Sequence, residues 1–192
     1  MKQAVIFCIT FLLISLQNIC AQTPDSLEES RMMDEIKIVE NTPMPENEPD
    51  IIGTSAPDFE VTDMNGNLIS LKESVGKVMV LSFGFTACKH FVGAIPELNE
   101  VYEKYHNNSD LVFAAIFLSK KKDVIPFLEK YPISYPVVSY ARETCDLFKV
   151  QAYPTIVVID KNGKYFYHHS GNSPQIGEQV SMSIENALQE GN

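Results

Sequence analysis

The stretch that decides the fold is Leu81–Phe91, with the sequence LSFGFTACKHF. Its first half completes an apolar run that starts at Val78 and is closed by Gly84, which predicts a buried strand. Downstream of it, large apolar residues recur at helical spacing and predict a helix from about Cys88 to His106. The members of this stripe are Ala94, Leu98, Val101 and Tyr105. The sequence therefore places a cysteine where a buried strand passes into a helix.

Cys88 at that position is a candidate catalytic nucleophile. The unpaired N–H groups and the dipole of a helix N-terminus favour an anion, so they stabilise a thiolate there. Lys89 adds a positive charge next to it, and His90 adds another when protonated. Two polar neighbours also predict that Cys88 lies at an exposed helix tip. The alternative is a buried, inert cysteine that only fills the core.

The rest of the chain from Ile51 onward alternates between strand and helix patterns. Extended patterns are predicted at 59–61, 68–71, 111–118, 135–138, 155–159 and 165–167, and helices at about 120–131, 143–148 and 173–188. Turn chemistry separates several of them, notably around Gly66 and at 160–163. This order predicts an α/β domain with a mixed central sheet flanked by helices.

Several motifs in that order resemble the TlpA/ResA-type branch of the thioredoxin-like (redoxin) family, whose members act on thiols in bacterial envelopes. The matching segments are Ala56–Phe59, Asn65–Asn67, Gly76–Leu81, Ile95–Leu98, Tyr153–Thr155 and Val157–Gly163. The resemblance implies a thioredoxin-like fold. It also implies a cis peptide bond before Pro154, in a turn that faces the cysteine, so that Tyr153, Pro154 and Thr155 bind an extended substrate.

The chain departs from that family at the second cysteine of the Cys-x-x-Cys motif. The spacing from Cys88 to Pro96 is kept, which places Phe91 at the degenerate resolving position. Ser82 stands where thioredoxins carry a buried acidic group. A thiolate can still form a mixed disulfide with a substrate, but this motif supplies no internal thiol to release it.

Cys145 is the other cysteine of the predicted domain, and two roles remain open for it. It is a candidate resolving thiol for a mixed disulfide at Cys88. Its position in a short predicted helix beside Leu147 and Phe148 instead favours a buried core residue.

The N-terminal sequence predicts export. Lys2 precedes an apolar run from Ala4 to Leu16, which is typical of a signal peptide covering residues 1–21. A lipid anchor at Cys20 is disfavoured because Gln17–Ile19 lacks the small residue usual before a lipidated cysteine. Residues 22–50 are rich in acidic and turn-forming types and are predicted to be a flexible acidic tether, and residues 51–192 form the thioredoxin-like domain. The protein is thus expected in the periplasm or secreted, and not as an integral membrane protein.

Composition restricts the partners. A net charge of −10 argues against nucleic acid or an anionic membrane as the main partner and favours solubility, and a monomer is expected.

No cofactor is expected. A metal site at His168 and His169 is disfavoured because adjacent strand residues point to opposite faces. Peroxide reduction is also disfavoured, since Phe85 stands where a threonine would be needed.

Two hypotheses follow for the function. The first is an exported thiol-disulfide oxidoreductase relative that acts on protein thiols or disulfides of the cell envelope through Cys88 alone, with a role in cell redox homeostasis. The second is a redox-inactive thioredoxin-fold module that binds an envelope client protein. A rearranged pair between Cys88 and Cys145 is a third arrangement that the sequence leaves open.

Overall fold

The computed structural model of the protein describes residues 51–171 and 173–190. The predicted signal peptide (1–21) and acidic tether (22–50) lie outside the described residues. The elements are, in chain order, β1 (Glu60–Thr62), β2 (Leu68–Ser70), a 3-10 helix (Lys72–Ser74), β3 (Val78–Gly84), α1 (Lys89–Tyr105), β4 (Leu111–Phe117), α2 (Lys121–Lys130), β5 (Val137–Val138), α3 (Arg142–Leu147), β6 (Thr155–Ile159), β7 (Tyr165–Ser170) and α4 (Ile176–Gln189).

The main sheet has five strands in the order β5-β4-β3-β6-β7. Strand β3 pairs in parallel with β4 and antiparallel with β6, while β1 and β2 form a separate antiparallel pair. The sequence prediction of an α/β domain with a mixed sheet is therefore confirmed. Parallel β3 and β4 end at the same edge of the sheet, and antiparallel β6 begins there, so the loops that follow or precede them meet.

Strand β3 lies at the centre of the sheet, and all seven of its residues are buried. Burial on both faces explains why its sequence is a continuous apolar run rather than an alternating one. Phe83 packs against Phe148, with ring centroids 5.1 Å apart. Its neighbours Ser82 and Gly84 point to the opposite face of the sheet.

The predicted helices are present with small differences at their ends. Helix α1 spans 17 residues with Cys88 as its N-cap, one residue inside each predicted end. Helix α4 buries Ile176, Val180 and Ile184 of the predicted stripe, together with Gly177 and Ala187, whereas Leu188 is only half-buried. The predicted extended run 135–138 is a strand only at Val137–Val138, since a proline at position 136 has no N–H to donate to a ladder.

The turn predicted around Gly66 joins β1 to β2. The Asp63 carboxylate accepts hydrogen bonds from the backbone N–H groups of Asn65 and Asn67, both at 2.8 Å. Burial alone would raise the pKa of Asp63, but the hydrogen bonds outweigh it and the pKa is lowered. The carboxylate thus holds this turn closed in its charged form.

Candidate functional site

Cys88 caps helix α1 with its own side chain. Its backbone is extended, with φ −80° and ψ 107°, and its Sγ accepts a hydrogen bond from the backbone N–H of Phe91 at 3.4 Å. The first N–H groups of a helix have no partner within the helix, so a capping acceptor satisfies one of them. The predicted placement of Cys88 at the N-terminus of this helix is confirmed.

The Cys88 sulfur also faces the turn before β6. Its thiol donates to the backbone carbonyl of Tyr153, with Sγ and O 3.5 Å apart. The peptide bond between Tyr153 and Pro154 is cis. The turn is fixed on its other side, where the Pro154 carbonyl accepts from the N–H of Gly171 at 2.7 Å and the Thr155 hydroxyl donates to the Ala152 carbonyl at 2.7 Å. The structure therefore brings Cys88 and the Tyr153–Thr155 turn together.

The exposed position expected of Cys88 is wrong, because only 2% of the residue is accessible to solvent. The reason is the direction of the side chain: Sγ turns back over the end of α1, where it meets the Phe91 N–H and the Tyr153 carbonyl. Phe85, which is itself buried, packs edge-on against the Tyr153 ring at 5.2 Å. Lys89 and His90 are exposed, as their polarity predicts.

Phe91 lies at the position where the family resemblance predicts a resolving cysteine. Its ring is fully buried and lies 5.2 Å from the ring of Phe117 and 6.5 Å from that of Phe127. It also lies directly over Gly84, at the end of β3. The large apolar side chain at this position is part of the core. The packing of the core therefore depends on having phenylalanine instead of the second cysteine of Cys-x-x-Cys.

A buried pair of hydroxyl groups occupies the position of the missing acid. The oxygens of Ser82 and Tyr135 lie 3.3 Å apart, and both residues are buried. Burial raises the pKa of Tyr135 above its usual range, although the hydrogen bond with Ser82 acts in the opposite sense. Both groups stay neutral, so this pair offers no carboxylate that could take a proton from a thiol. Sequence reasoning missed Tyr135 because it lies 53 residues from Ser82.

Cys145 is buried in α3, with 2% of its surface accessible. Burial raises the pKa of its thiol to about 11, against the opposing influence of a hydrogen bond with the Tyr153 side chain. Burial also raises the pKa of Tyr153, and the nearby Cys145 adds to the effect. Tyr153 thus contacts Cys88 through its carbonyl and Cys145 through its hydroxyl. Cys88 and Cys145 are not joined to each other by a disulfide.

Ser119 and Thr86 also position the site. The Ser119 hydroxyl accepts from the backbone N–H of Thr86 at 3.0 Å, and the two side-chain hydroxyls lie 3.1 Å apart. These contacts tie the loop before Cys88 to the end of β4. Neither residue belongs to a recognisable motif, so the sequence carried no signal for them.

His168 and His169 lie in the edge strand β7, opposite Val157 and Ile156. Within 51–171 and 173–190, no three His, Cys, Asp or Glu side chains are grouped closely enough to hold a metal ion. Of the helices that the structure describes, none combines the length and apolar character needed to cross a bilayer.

Comparison with known proteins agrees with this geometry. The model of the AhpC/TSA family matches residues 52–167. Thiol-disulfide oxidoreductase ResA of Bacillus cereus is 33% identical over 139 residues, which are 72% of this chain and 77% of that protein. Thioredoxin-like protein YneN of Bacillus subtilis is 26% identical, over 69% of this chain and 79% of its own. The crystal structure of a Chlorobium tepidum protein assigned as the thiol:disulfide interchange protein DsbE matches with a TM-score of 0.65 at 29% identity, covering 71% of this chain and 97% of that one.

Proposed function

The chain belongs to the AhpC/TSA family and to the ResA-type thioredoxin-like proteins within it, and on this premise we propose that it is an exported protein that exchanges disulfides through Cys88 alone. The observation that carries the proposal is the position of the Cys88 sulfur. It lies between the N–H of Phe91 and the carbonyl of Tyr153, at 3.4 and 3.5 Å. The Phe91 N–H and the helix N-terminus favour the thiolate, the Tyr153 carbonyl favours the neutral thiol, and the turn at Pro154 offers a place for a substrate chain.

The proposed reaction is a thiol-disulfide exchange. The Cys88 thiolate attacks one sulfur of a client disulfide; that disulfide breaks, a bond forms between Cys88 and the attacked sulfur, and the other client sulfur leaves as a thiolate that takes up a proton. A second thiol, from a small molecule or a protein, then attacks the client sulfur of the mixed disulfide. Cys88 leaves as the thiolate, and the client remains bonded to the second thiol.

Phe91 makes the second thiol necessary. In a dithiol motif the residue at this position would attack the mixed disulfide from within the same protein. Here it is a buried aromatic ring, and the Ser82–Tyr135 pair lacks the carboxylate that would accept a proton from such a thiol. Both the acid and the thiol that it would serve are replaced. This joint replacement supports a mechanism that uses one thiol, rather than a dithiol mechanism that has lost one of its parts.

Tyr153, Pro154 and Thr155 are the proposed substrate-binding residues. Lys89 and His90 are exposed, follow Cys88 directly in the sequence, and are proposed to stabilise the thiolate when they are charged. The leader-like sequence at 1–21 supports a periplasmic or secreted location, where disulfide-bearing proteins persist. The clients would then be envelope proteins that carry thiols or disulfides.

A second candidate function is favoured by the 2% exposure of Cys88. A sulfur this well covered reacts with a protein substrate only when the Tyr153 turn moves away from it. If it does not move, the protein is a thioredoxin-fold module that binds a client without exchanging disulfides.

Reduction of insulin disulfides, with dithiothreitol as the second thiol, separates the two functions. We expect the full-length protein to accelerate the reaction and Cys88→Ser to run at the background rate. A Cys145→Ser variant should keep the activity of the parent, because the proposed cycle does not use Cys145. Equal background rates for the parent and Cys88→Ser would favour the binding module.

A further inference from the structure

Loops from four elements meet around Cys88. The Leu118 N–H donates to the Gly84 carbonyl at 3.0 Å, so the loops after β3 and β4 leave the sheet side by side. The Tyr140 N–H donates to the Ser119 carbonyl at 2.8 Å and brings in the loop after β5. The Tyr153 carbonyl, in the loop before β6, reaches the Cys88 sulfur. The segments at 85–90, 118–123 and 139–154, which include the first residues of α1 and α2 and the whole of α3, are called the site rim here.

The site rim is basic although the protein is acidic. The chain carries 15 Lys and Arg against 25 Asp and Glu. In the rim the balance is reversed, with six basic residues against three acidic ones. The basic residues are Lys89, Lys120, Lys121, Lys122, Arg142 and Lys149, and the acidic ones are Asp123, Glu143 and Asp146.

Exposed lysines in the first turns of two helices contribute to this excess. Arg142 shares a groove with Glu60 and Glu143, so neighbouring carboxylates offset its charge. Lys121 and Lys122 are exposed in the first turn of α2, and Lys89 is exposed in the first turn of α1. In both helices the N-terminal end of the dipole is positive, as these side chains are. Both therefore contribute to a positive electrostatic potential around the site rim.

Tyr140 gives the rim an aromatic contact surface. It is 49% exposed, and its φ of 58° lies in the left-handed region that residues other than glycine seldom adopt. The Lys120 ammonium lies 5.8 Å from the centre of its ring. Tyrosine is enriched at protein contact surfaces, where aromatic side chains supply much of the binding energy.

We propose that the site rim docks an acidic segment of a client protein, so that the client's disulfide is presented to Cys88. The inference rests on the proposed function and names the class of client for that same site. We take the client to be a protein because protein disulfides persist in the exported location proposed for this chain. Its segment at the site must be acidic, because opposite charges at short range speed the encounter and like charges repel it.

Two activated peptides test the inference. Each carries one cysteine as a mixed disulfide with thionitrobenzoate, flanked by Asp and Glu in one peptide and by Lys in the other. Attack by Cys88 releases coloured thionitrobenzoate, so the second-order rate constant is read directly. At low ionic strength we expect the acidic peptide to react faster by about 10-fold, with a difference that shrinks as salt screens the charges.

Matched charge reversals locate the effect. Lys121→Glu with Lys122→Glu should remove most of the preference, and because these positions open α2, an acidic residue there suits the helix dipole and keeps the fold. The control is Lys72→Glu with Lys164→Glu, an equal change in charge at two exposed lysines near the other end of the sheet, where β3 begins. The control should keep the preference.

The outcomes separate the inference from the function it rests on. Equal rates for the two peptides, or equal losses in the two double variants, overturn the acidic-client inference and leave the exchange reaction standing. Release that is the same in the parent and in Cys88→Ser, with both peptides, overturns the proposed function and the inference with it.

Discussion

The ring of Phe91 occupies the space that any side chain at Gly84 would need. A Cβ built on Gly84 would overlap Cδ2 of Phe91 and lie 2.6 Å from two further ring atoms. Gly84 ends the central strand and Phe91 lies in the first turn of α1, so this contact fixes how closely the helix approaches the sheet. The residue at the resolving position and the last residue of β3 are therefore a matched pair.

Gly84→Ala should destabilise the protein through this contact. The added methyl group forces the Phe91 ring or the helix to shift, and overpacking of this kind costs ~1–3 kcal/mol in the free energy of unfolding. Gly93→Ala is the control, because a Cβ at Gly93 meets nothing within 4 Å and alanine is the better helix former. Urea unfolding should show a lower midpoint for Gly84→Ala and an unchanged or higher one for Gly93→Ala. Equal midpoints for the two variants would contradict the close packing of Phe91 on Gly84.

Phe91→Cys should restore internal resolution at a cost in stability. Loss of the ring leaves a cavity among Phe117, Phe127 and Gly84, which lowers the free energy of unfolding by ~3–5 kcal/mol for a change of this kind. The thiol at position 91 should attack a mixed disulfide at Cys88 and shorten its lifetime when no second thiol is present. The lifetime can be followed by intact-protein mass spectrometry after quenching with acid.

Phe91→Ala is the matched control for that measurement, since it opens a similar cavity without adding a thiol. Its mixed disulfide should last as long as that of the parent. If Phe91→Ala and Phe91→Cys lose the mixed disulfide equally fast, looser packing and not the new thiol is the cause, and the role given to position 91 is wrong.

The sequence was sufficient for the parts of the site that depend on local patterns. Cys88 as the N-terminal residue of a helix follows from the apolar run of β3 and from the spacing of Ala94 and Leu98, because each pattern lies within a few turns of chain. The order of strands and helices was readable for the same reason. Burial of Cys145 could also be predicted, since a cysteine among apolar neighbours is usually buried.

The direction of the Cys88 side chain was not readable from local sequence. Lys89 and His90 are exposed, and their polarity suggested the same for Cys88. The sulfur donates a hydrogen bond to the Tyr153 carbonyl, which lies 65 residues further along the chain. Local sequence therefore could not show that this segment covers Cys88. Ser119 and Tyr135 escaped notice for the same reason, as each meets its partner through packing of distant segments.

Cys88 and Cys145 should differ in their reactivity toward iodoacetamide. Burial raises the pKa of Cys145 to about 11, so its reactive thiolate is scarce below that pH. Cys88 faces a helix N-terminus, which favours the thiolate. At about pH 8, near the pKa of an ordinary thiol, mass spectrometry of the native protein should find the label on Cys88 and little on Cys145. Preferential labelling of Cys145 would contradict these assignments.

The same burial predicts how stability depends on pH in the alkaline range. A thiol whose pKa is higher in the folded state stabilises the fold fully below its unfolded pKa, and the contribution is lost as the pH rises through about 11. Buried Tyr135 and Tyr153 act in the same sense. The urea midpoint should therefore fall between about pH 9 and pH 11. In Cys145→Ala the fall should be shallower, while an identical slope would show that Cys145 does not contribute to it.

Ser82→Asp should show that the position of Ser82 does not accommodate a charged acid. Ser82 is fully buried beside Tyr135, so a carboxyl group there is taken out of water with a hydroxyl as its hydrogen-bond partner. Burial disfavours the charged form and raises the pKa of such an acid in the folded state. The variant is then least destabilised at low pH, where the acid is neutral in both states, and loses stability as the pH rises above about 4, the pKa of Asp in the unfolded chain.

Ser82→Ala is the control: it leaves the Tyr135 hydroxyl without this partner, which costs ~1–3 kcal/mol at every pH where the tyrosine is neutral. Urea midpoints at about pH 5 and pH 8 should therefore converge for the two variants at the lower pH and separate at the higher one. A midpoint for Ser82→Asp that does not move with pH relative to Ser82→Ala would mean that water reaches the carboxylate, and the burial of this position would then not exclude an ionised acid.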